Sequence, residues 1–389
     1  MSLKLSGISI AIWCLLSLTT FVKEKTIIKV TKNDLISIVI LSLLYIFYIG
    51  NYLFTLDVIL IKKLETCLSF LVLPLFIILN KSNISKNTLN YSLVGFFMAN
   101  TILALISWFK IFQTGFFKML NDNNYYQPVF RNIFSDTTNI HLPYLGLFYV
   151  FSIFIGIYSI QREYRKYTIA IRSIIFLICI LLFISMLFFT ARMALLSFII
   201  VFIYWAFKSF QNKRLFASLF ISLVLLTSII VLLTPMKERI FEAIHTKFEL
   251  PSEKLNDQSE HVNFRYGILY CSINVIKNNW LIGVGKNNVQ RKLDECYDGF
   301  TYNNYDDFKQ TQYNSHNQYI DLWIAYGILG MVPLTISFFF GFSINNNLLY
   351  NIFLLLIFLA LLTENIFDRQ LGVIFFTFFN SLFFITKTK

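Results

Sequence analysis

Residues 170–207 read AIRSIIFLICILLFISMLFFTARMALLSFIIVFIYWAF. From Ser173 to Phe207 the one charged side chain is Arg192. A helix needs about 20 mostly apolar residues to cross about 30 Å of hydrocarbon. The runs on either side of Thr190-Ala191-Arg192 each approach that length, so this stretch is a hairpin of two membrane spans with a very short connection. The rest of the chain repeats the pattern. Of its 389 residues 57% are apolar and 14% charged, against about 25% charged in an average soluble domain. A soluble protein of this size cannot hide so much apolar side chain, because most of its surface stays wet. The same composition excludes collagen, coiled coil and disorder. The apolar runs are continuous, whereas an outer-membrane barrel alternates with period two.

Working outward from the hairpin, the candidate spans are 3–22, 34–53, 58–79, 89–112, 139–159, 170–190, 192–207, 214–233, 316–341, 348–363 and 370–386. The predicted fold is an all-α integral membrane protein with about 11 transmembrane helices, within a range of about 10 to 12. The first run is followed directly by Lys23, Glu24 and Lys25 with no small-residue cleavage site, so it reads as a retained span. The net charge of +12 marks cytoplasmic loops in such a chain rather than nucleic-acid binding. One set of alternate loops carries Lys23, Lys25, Lys29, Lys32, Lys81, Lys86, Arg162, Arg165, Lys166, Arg172, Lys208, Lys213 and Arg214, and the chain ends with Lys387 and Lys389. Those segments are expected inside, with a cytoplasmic C-terminus and the N-terminus outside.

The expected organisation is a block of eight spans over 1–233, a large periplasmic loop over 234–315, and three further spans over 316–389. A smaller outer loop, rich in Asn and Tyr, covers 113–138. Periodicity predicts two helices in the large loop, from about Met236 to Phe248 and from about Val262 to Asn278. Between Asp294 and Asn314 the chain is polar and aperiodic, as in a flap. Cys14, Cys67 and Cys179 lie in spans. Cys271 and Cys296 both fall on the oxidising side, where a disulfide is one option and burial of Cys271 on its helix face is the other. No Cys/His pair has metal-ligand spacing, so no metal and no cofactor is expected.

A charge near a span is costly and invites a functional reading beside a structural one. His316 lies in Asn314-Ser315-His316-Asn317-Gln318-Tyr319-Ile320, where the large loop meets a span. An imidazole there can take a proton from a sugar hydroxyl near neutral pH, or it can bond the start of its own helix. Arg192 sits in a tight outer hairpin and suits a bidentate grip on phosphate oxygens, although an arginine can also snorkel to headgroups. Arg265 opens the second loop helix in Asn263-Phe264-Arg265-Tyr266, and Trp280-Leu281-Ile282-Gly283-Val284-Gly285 ends it. Glycines in such a turn let backbone approach a ligand. A further group falls near the outer face, where structural or solvated roles suit most of its members. It comprises Arg131, His141, Lys62, Lys63, Glu364, Asp368 and Arg369. Together Arg192, Arg265 and His316 imply an anionic ligand at the outer leaflet, with a lipid diphosphate as the natural candidate.

On these residues the sequence resembles the O-antigen ligase and O-antigen polymerase superfamily. The features are Arg192 at a short outer hairpin, Arg265 opening the loop helix, the 280–285 turn, and His316-Asn317 followed by Gly327 and Gly330. The resemblance covers about 170–335, and departs from the family at Ala191, where serine is common, and at Lys286, where a small residue is frequent. It implies a multispan glycosyltransferase of the bacterial inner membrane with its active site facing the periplasm. The implied donor is a glycan on a polyprenyl (undecaprenyl) diphosphate, and the acceptor a lipid-linked or lipid A-core sugar. Arg192 and Arg265 would hold the diphosphate and His316 would activate the acceptor hydroxyl. Asn317, His141, Arg131, Glu364 and Arg369 are possible supporting residues. Competing readings are a flippase for lipid-linked sugars, a protein O-oligosaccharyltransferase and a non-catalytic scaffold. A transporter more often shows repeats and charged or broken helices near the bilayer midplane, whereas these charges gather at one surface.

Overall fold

The computed structural model describes residues 10, 12–17, 31–85, 87–116, 126–209, 264–300, 312–344 and 347–387, with single residues between 228 and 250. The expected span at 214–233, most of the first, the expected helix at 236–248 and most of the 294–314 flap lie outside these residues. The described chain is helical, with no strand among the described residues. Five helices are long and apolar enough to cross a membrane, or six if one bent pair counts as a single span. The protein is an all-α membrane protein.

The helices are α1 (Lys32–Leu41), α2 (Leu43–Thr55), α3 (Val58–Cys67), α4 (Ser69–Leu79), α5 (Thr88–Thr114), α6 (Tyr126–Thr138) and α7 (Leu142–Arg162). Next come α8 (Ile169–Phe188), α9 (Arg192–Ser209), α10 (Phe264–Asn279), α11 (Val289–Tyr297), α12 (Gln318–Ile344), α13 (Leu348–Leu361) and α14 (Gln370–Lys387). The chain divides into two compact units. The first holds Met1–Ser6, Ser85–Phe241 and Asn346–Ala360; the second holds Gly7–Ile84, Glu242–Asn345 and Leu361–Lys389.

In the first unit α7 is apolar all round, and every residue from Tyr144 to Gly156 is buried. A helix of that kind must be enclosed, and α5, α6, α8 and α9 pack on it. Phe151 meets Phe353 of α13 with ring centroids 5.0 Å apart. Outward, α5 exposes Met98, Ile102, Leu105 and Phe109, and α8 exposes Ile174, Phe176 and Leu177. Exposed apolar rows on helices of this length suit contact with lipid. Part of the stretch read as a polar loop at 113–138 is the helix α6. Its signal is Phe130 and Phe134, four residues apart and both fully buried, masked in the sequence by the neighbouring Asn and Tyr residues.

In the second unit α14 packs along α4, with Phe70 at 5.0 Å from Phe367 and 5.9 Å from Phe376. Three expected spans are interrupted. The α1–α2 pair bends by 66° at Ser42, and α3 gives way to α4 at Leu68. Within α12, Gly327 has φ 64° and ψ −162°, far from helical values. A disulfide joins Cys271 of α10 to Cys296 of α11.

Candidate functional site

The second unit gathers a set of polar side chains where α12 begins. Asn317 caps α12, its Oδ1 accepting from the Tyr319 and Ile320 backbone N–H groups at 3.0 and 3.1 Å. Its Nδ2 donates to the Leu362 carbonyl at 3.0 Å. The neighbouring Gln318, fully buried, accepts at Oε1 from the Phe367 N–H at 2.9 Å. Two adjacent amides thus grip the turn between α13 and α14, and that turn carries Glu364.

His316 stands just ahead of this cap. Its backbone is left-handed at φ 44°, a conformation costing a non-glycine residue about 1–2 kcal/mol. The Asn314 Oδ1 holds it there by accepting from the His316 N–H at 3.0 Å. The imidazole Nδ1 faces Glu364 Oε2 at 3.5 Å. This is ion-pair distance but long for a hydrogen bond, and Nδ1 makes no other hydrogen bond. The other oxygen of Glu364 lies 3.5 Å from Nη2 of Arg265, whose side chain is half exposed. One carboxylate therefore spans an imidazole and a guanidinium. A carboxylate on the Nδ1 side, brought to hydrogen-bonding distance, would hold the ring proton there and leave Nε2 as the acceptor.

Next to this triad lies a buried chain of four charges. Lys63 of α3 pairs with Asp368 and donates to the Phe367 carbonyl at 3.1 Å. Lys286 reaches Asp321 of α12 at 2.7 Å and Asp368 at 4.0 Å. Burial pushes the Asp368 carboxyl up, but Lys63 and Lys286 outweigh it and hold Asp368 well below the usual carboxylate range. Its stabilising contribution is present above the ordinary carboxylate value of about 3.9 and is lost as pH falls through the lower folded value. Two lysines and two aspartates cancel, which is what allows four charges to sit out of water. The sequence reading missed Asp321. The available signal was an acidic residue in the first turn of an apolar run, together with Lys286 directly after the glycine turn. Removing one partner strands a charge: Asp321→Ala is expected to destabilise the protein by about 3–5 kcal/mol, and the double replacement Lys286→Met, Asp321→Leu by far less. Thermal unfolding in detergent measures both.

The 280–285 turn approaches backbone closely, and the backbone is the chain's own. Val284 and Gly285 donate to the Ile324 and Ala325 carbonyls at 2.8 and 2.9 Å, and Ile328 donates to the Trp280 carbonyl at 3.0 Å. A Cβ on Gly327 would stand 2.1 Å from the Leu281 carbonyl oxygen, and one on Gly283 would stand 2.5 Å from the Gly327 nitrogen. The glycines at 283 and 327 exist for each other. The break in α12 is where this turn docks.

The first unit holds Arg131, His141 and Arg192. Arg192 is the exposed first residue of α9, after a connection in which Thr190 is left-handed at φ 55°. Arg131 of α6 braces that connection, donating to Thr190 Oγ1 at 2.9 Å and to the Phe189 carbonyl at 3.3 Å. A Cβ on Gly146 of α7 would lie 3.3 Å from Ala191 Cβ, so the hairpin seats closely on α7. His141 is exposed at the start of α7, its ring 6.2 Å from that of Tyr144. Arg369 is exposed at the start of α14, in the second unit. The structure thus brings His316, Arg265, Glu364 and Asn317 together.

Fold and site define a class, that of an α-helical membrane protein with a histidine–carboxylate–arginine cluster where a large loop meets a span. Residues 177–335 match the family model described as O-antigen ligase, so over this segment the chain is similar to that family. The matched segment includes Arg192, Arg265, Lys286 and His316 and ends before Glu364. No curated protein matches the chain.

Proposed function

We propose that this protein transfers a glycan from a polyprenyl diphosphate to a sugar hydroxyl of an acceptor at the periplasmic face of the inner membrane. The observation that carries the reading is His316 set against Glu364 and Arg265, within or beside the segment that matches the O-antigen ligase family. In the proposed step the acceptor oxygen bonds the anomeric carbon, its proton passes to His316, and the bond from that carbon to the diphosphate breaks. In-line attack inverts the centre. Glu364 orients the ring and stabilises the imidazolium. Arg192 and Arg265 each stand in the first turn of a helix, where unpaired N–H groups and the helix dipole already favour an anion. A guanidinium can offset the charge that builds on a leaving diphosphate, the part a metal plays elsewhere, and Arg192 and Arg265 are each proposed as such a group. The Cys271–Cys296 bridge supports an oxidising compartment for the loop.

The deciding experiment is the surface polysaccharide profile of a deletion strain carrying wild-type protein or His316→Ala. Single repeats on the outer lipid, restored to a ladder by wild type, identify a polymerase. Full-length glycan retained on its polyprenyl carrier identifies a ligase. In both cases His316→Ala should resemble the deletion, and a wild-type profile would end the transferase reading. Arg265→Ala and Arg192→Ala are each expected to raise the donor concentration needed for half-maximal transfer by at least about tenfold, the effect of losing one charged hydrogen bond. Lysine at either position should recover only part, because an ammonium cannot make the bidentate contact. Persistence of transfer in strong chelator checks the metal-free mechanism.

A further inference from the structure

The 280–285 turn sits at an unexpected level in the second unit. It bonds to α12 at Ile324, Ala325 and Ile328, and Gly327 lies nine residues past the start of α12 at Gln318. At 1.5 Å per residue that is about 13 Å along the helix. Two other helices give the same answer. Tyr326 packs on Phe47 and Tyr48 of α2, with ring centroids 5.3 and 5.8 Å apart, and Tyr48 stands about 10 Å before that helix ends at Thr55. Lys286, just past the turn, is linked through Asp368 to Lys63, about 7 Å inside the start of α3. Half the hydrocarbon thickness is about 15 Å, so the turn lies at acyl-chain depth.

Its side chains suit that depth. Trp280 is 54% exposed and Ile282 73% exposed, with Leu281 between them. Leu269, Tyr270 and Ile273 continue the apolar surface along α10. Lys277 shares that side, and its long stem can lift the ammonium to the headgroups. Backbone facing lipid is costly unless hydrogen-bonded, and several groups of the turn are bonded within the unit. The Trp280 carbonyl accepts from the Ile328 N–H and the Trp323 indole, the Gly283 N–H donates to Asn279, and Val284 and Gly285 donate to α12. An apolar turn in water would need no such closure.

We propose that Trp280-Leu281-Ile282 and the adjoining face of α10 are inserted among the acyl chains of the membrane, so that the large loop re-enters the bilayer. The partner of this surface is the lipid itself. α11, which follows, bears exposed Arg291 paired with Glu295 at 3.0 Å and returns to water. The inference needs only the membrane fold and holds whether or not the transfer reaction does.

The test is a single nitroxide on Ile282→Cys, Ile273→Cys or Arg291→Cys in the full-length protein. Cys14, Cys67 and Cys179 are replaced by alanine, the Cys271–Cys296 bridge is kept, and the protein is reconstituted in phosphatidylcholine–phosphatidylglycerol vesicles. Labels at 282 and 273 should relax with oxygen and be shielded from a soluble nickel chelate, with the reverse at 291. A second measurement leaves the cysteines native: lipids brominated at mid-chain should quench wild-type fluorescence measurably more than that of Trp280→Phe. Nickel access at 282 equal to that at 291 would overturn the proposal. So would shielding of 282 from both reagents, the mark of a protein partner. Repeating the measurement on His316→Ala separates the lipid contact from catalysis.

Discussion

His316→Ala is expected to lower glycan transfer by about 10²- to 10⁴-fold, the usual contribution of a positioned general base, while the protein still inserts and folds. Alanine at a left-handed position keeps the strain of φ 44°, so stability should fall by no more than about 1–2 kcal/mol. The assay is transfer from lipid diphosphate donor to acceptor by purified protein, with thermal unfolding in detergent as the control. The site also ranks a second substitution. Glu364→Gln keeps the shape of the side chain but removes the charge shared by His316 and Arg265. Its loss should fall between wild type and His316→Ala. Equal rates for wild type and His316→Ala would refute the catalytic assignment.

The largest expected effect on folding is that of Gly327→Ala. At φ 64° and ψ −162° the residue occupies a region open essentially to glycine alone. The added Cβ would also stand 2.1 Å from the Leu281 carbonyl oxygen, and backbone cannot swing aside as a side chain can. Relief requires the 280–285 turn to leave α12, which breaks the bonds from Val284, Gly285 and Ile328 together. A loss above about 4 kcal/mol is expected, read as low membrane yield and a collapsed unfolding temperature. Gly50→Ala is the matched control. It lies inside α2 with nothing within 4 Å of its Cβ, so it should be neutral or stabilising by up to about 1 kcal/mol. Similar behaviour of the two variants would show that the turn does not depend on this contact.

The all-α membrane class was legible because lipid imposes one crude requirement, an unbroken apolar run, and hydropathy reads that directly. The helix at 264–279 was legible from its periodicity. The interruptions at Ser42, Leu68 and Gly327 were not, because each sits inside a run that is apolar throughout. Gly327 was noticed as a motif residue, but its reason is a backbone contact with residues 45 positions earlier, and no local pattern encodes that. His316 and Arg265 stood out as polar groups at boundaries. Glu364 was one of several nearby charges, and only the grip of Asn317 and Gln318 on the 362–368 turn singles it out. The pairing of Lys63 with Asp368 joins two residues that look solvated when each is read alone.

That pairing fixes an order of events in the making of the protein. The carboxylate that neutralises Lys63 lies 305 positions further along the chain. At about 5–20 residues per second the ribosome delivers it some 15–60 s after α3 has left. During that interval α3 carries an ammonium without this counter-charge, and burying such a group in a membrane costs a few kcal/mol on insertion scales. The charge balance of an early helix thus depends on a turn made much later.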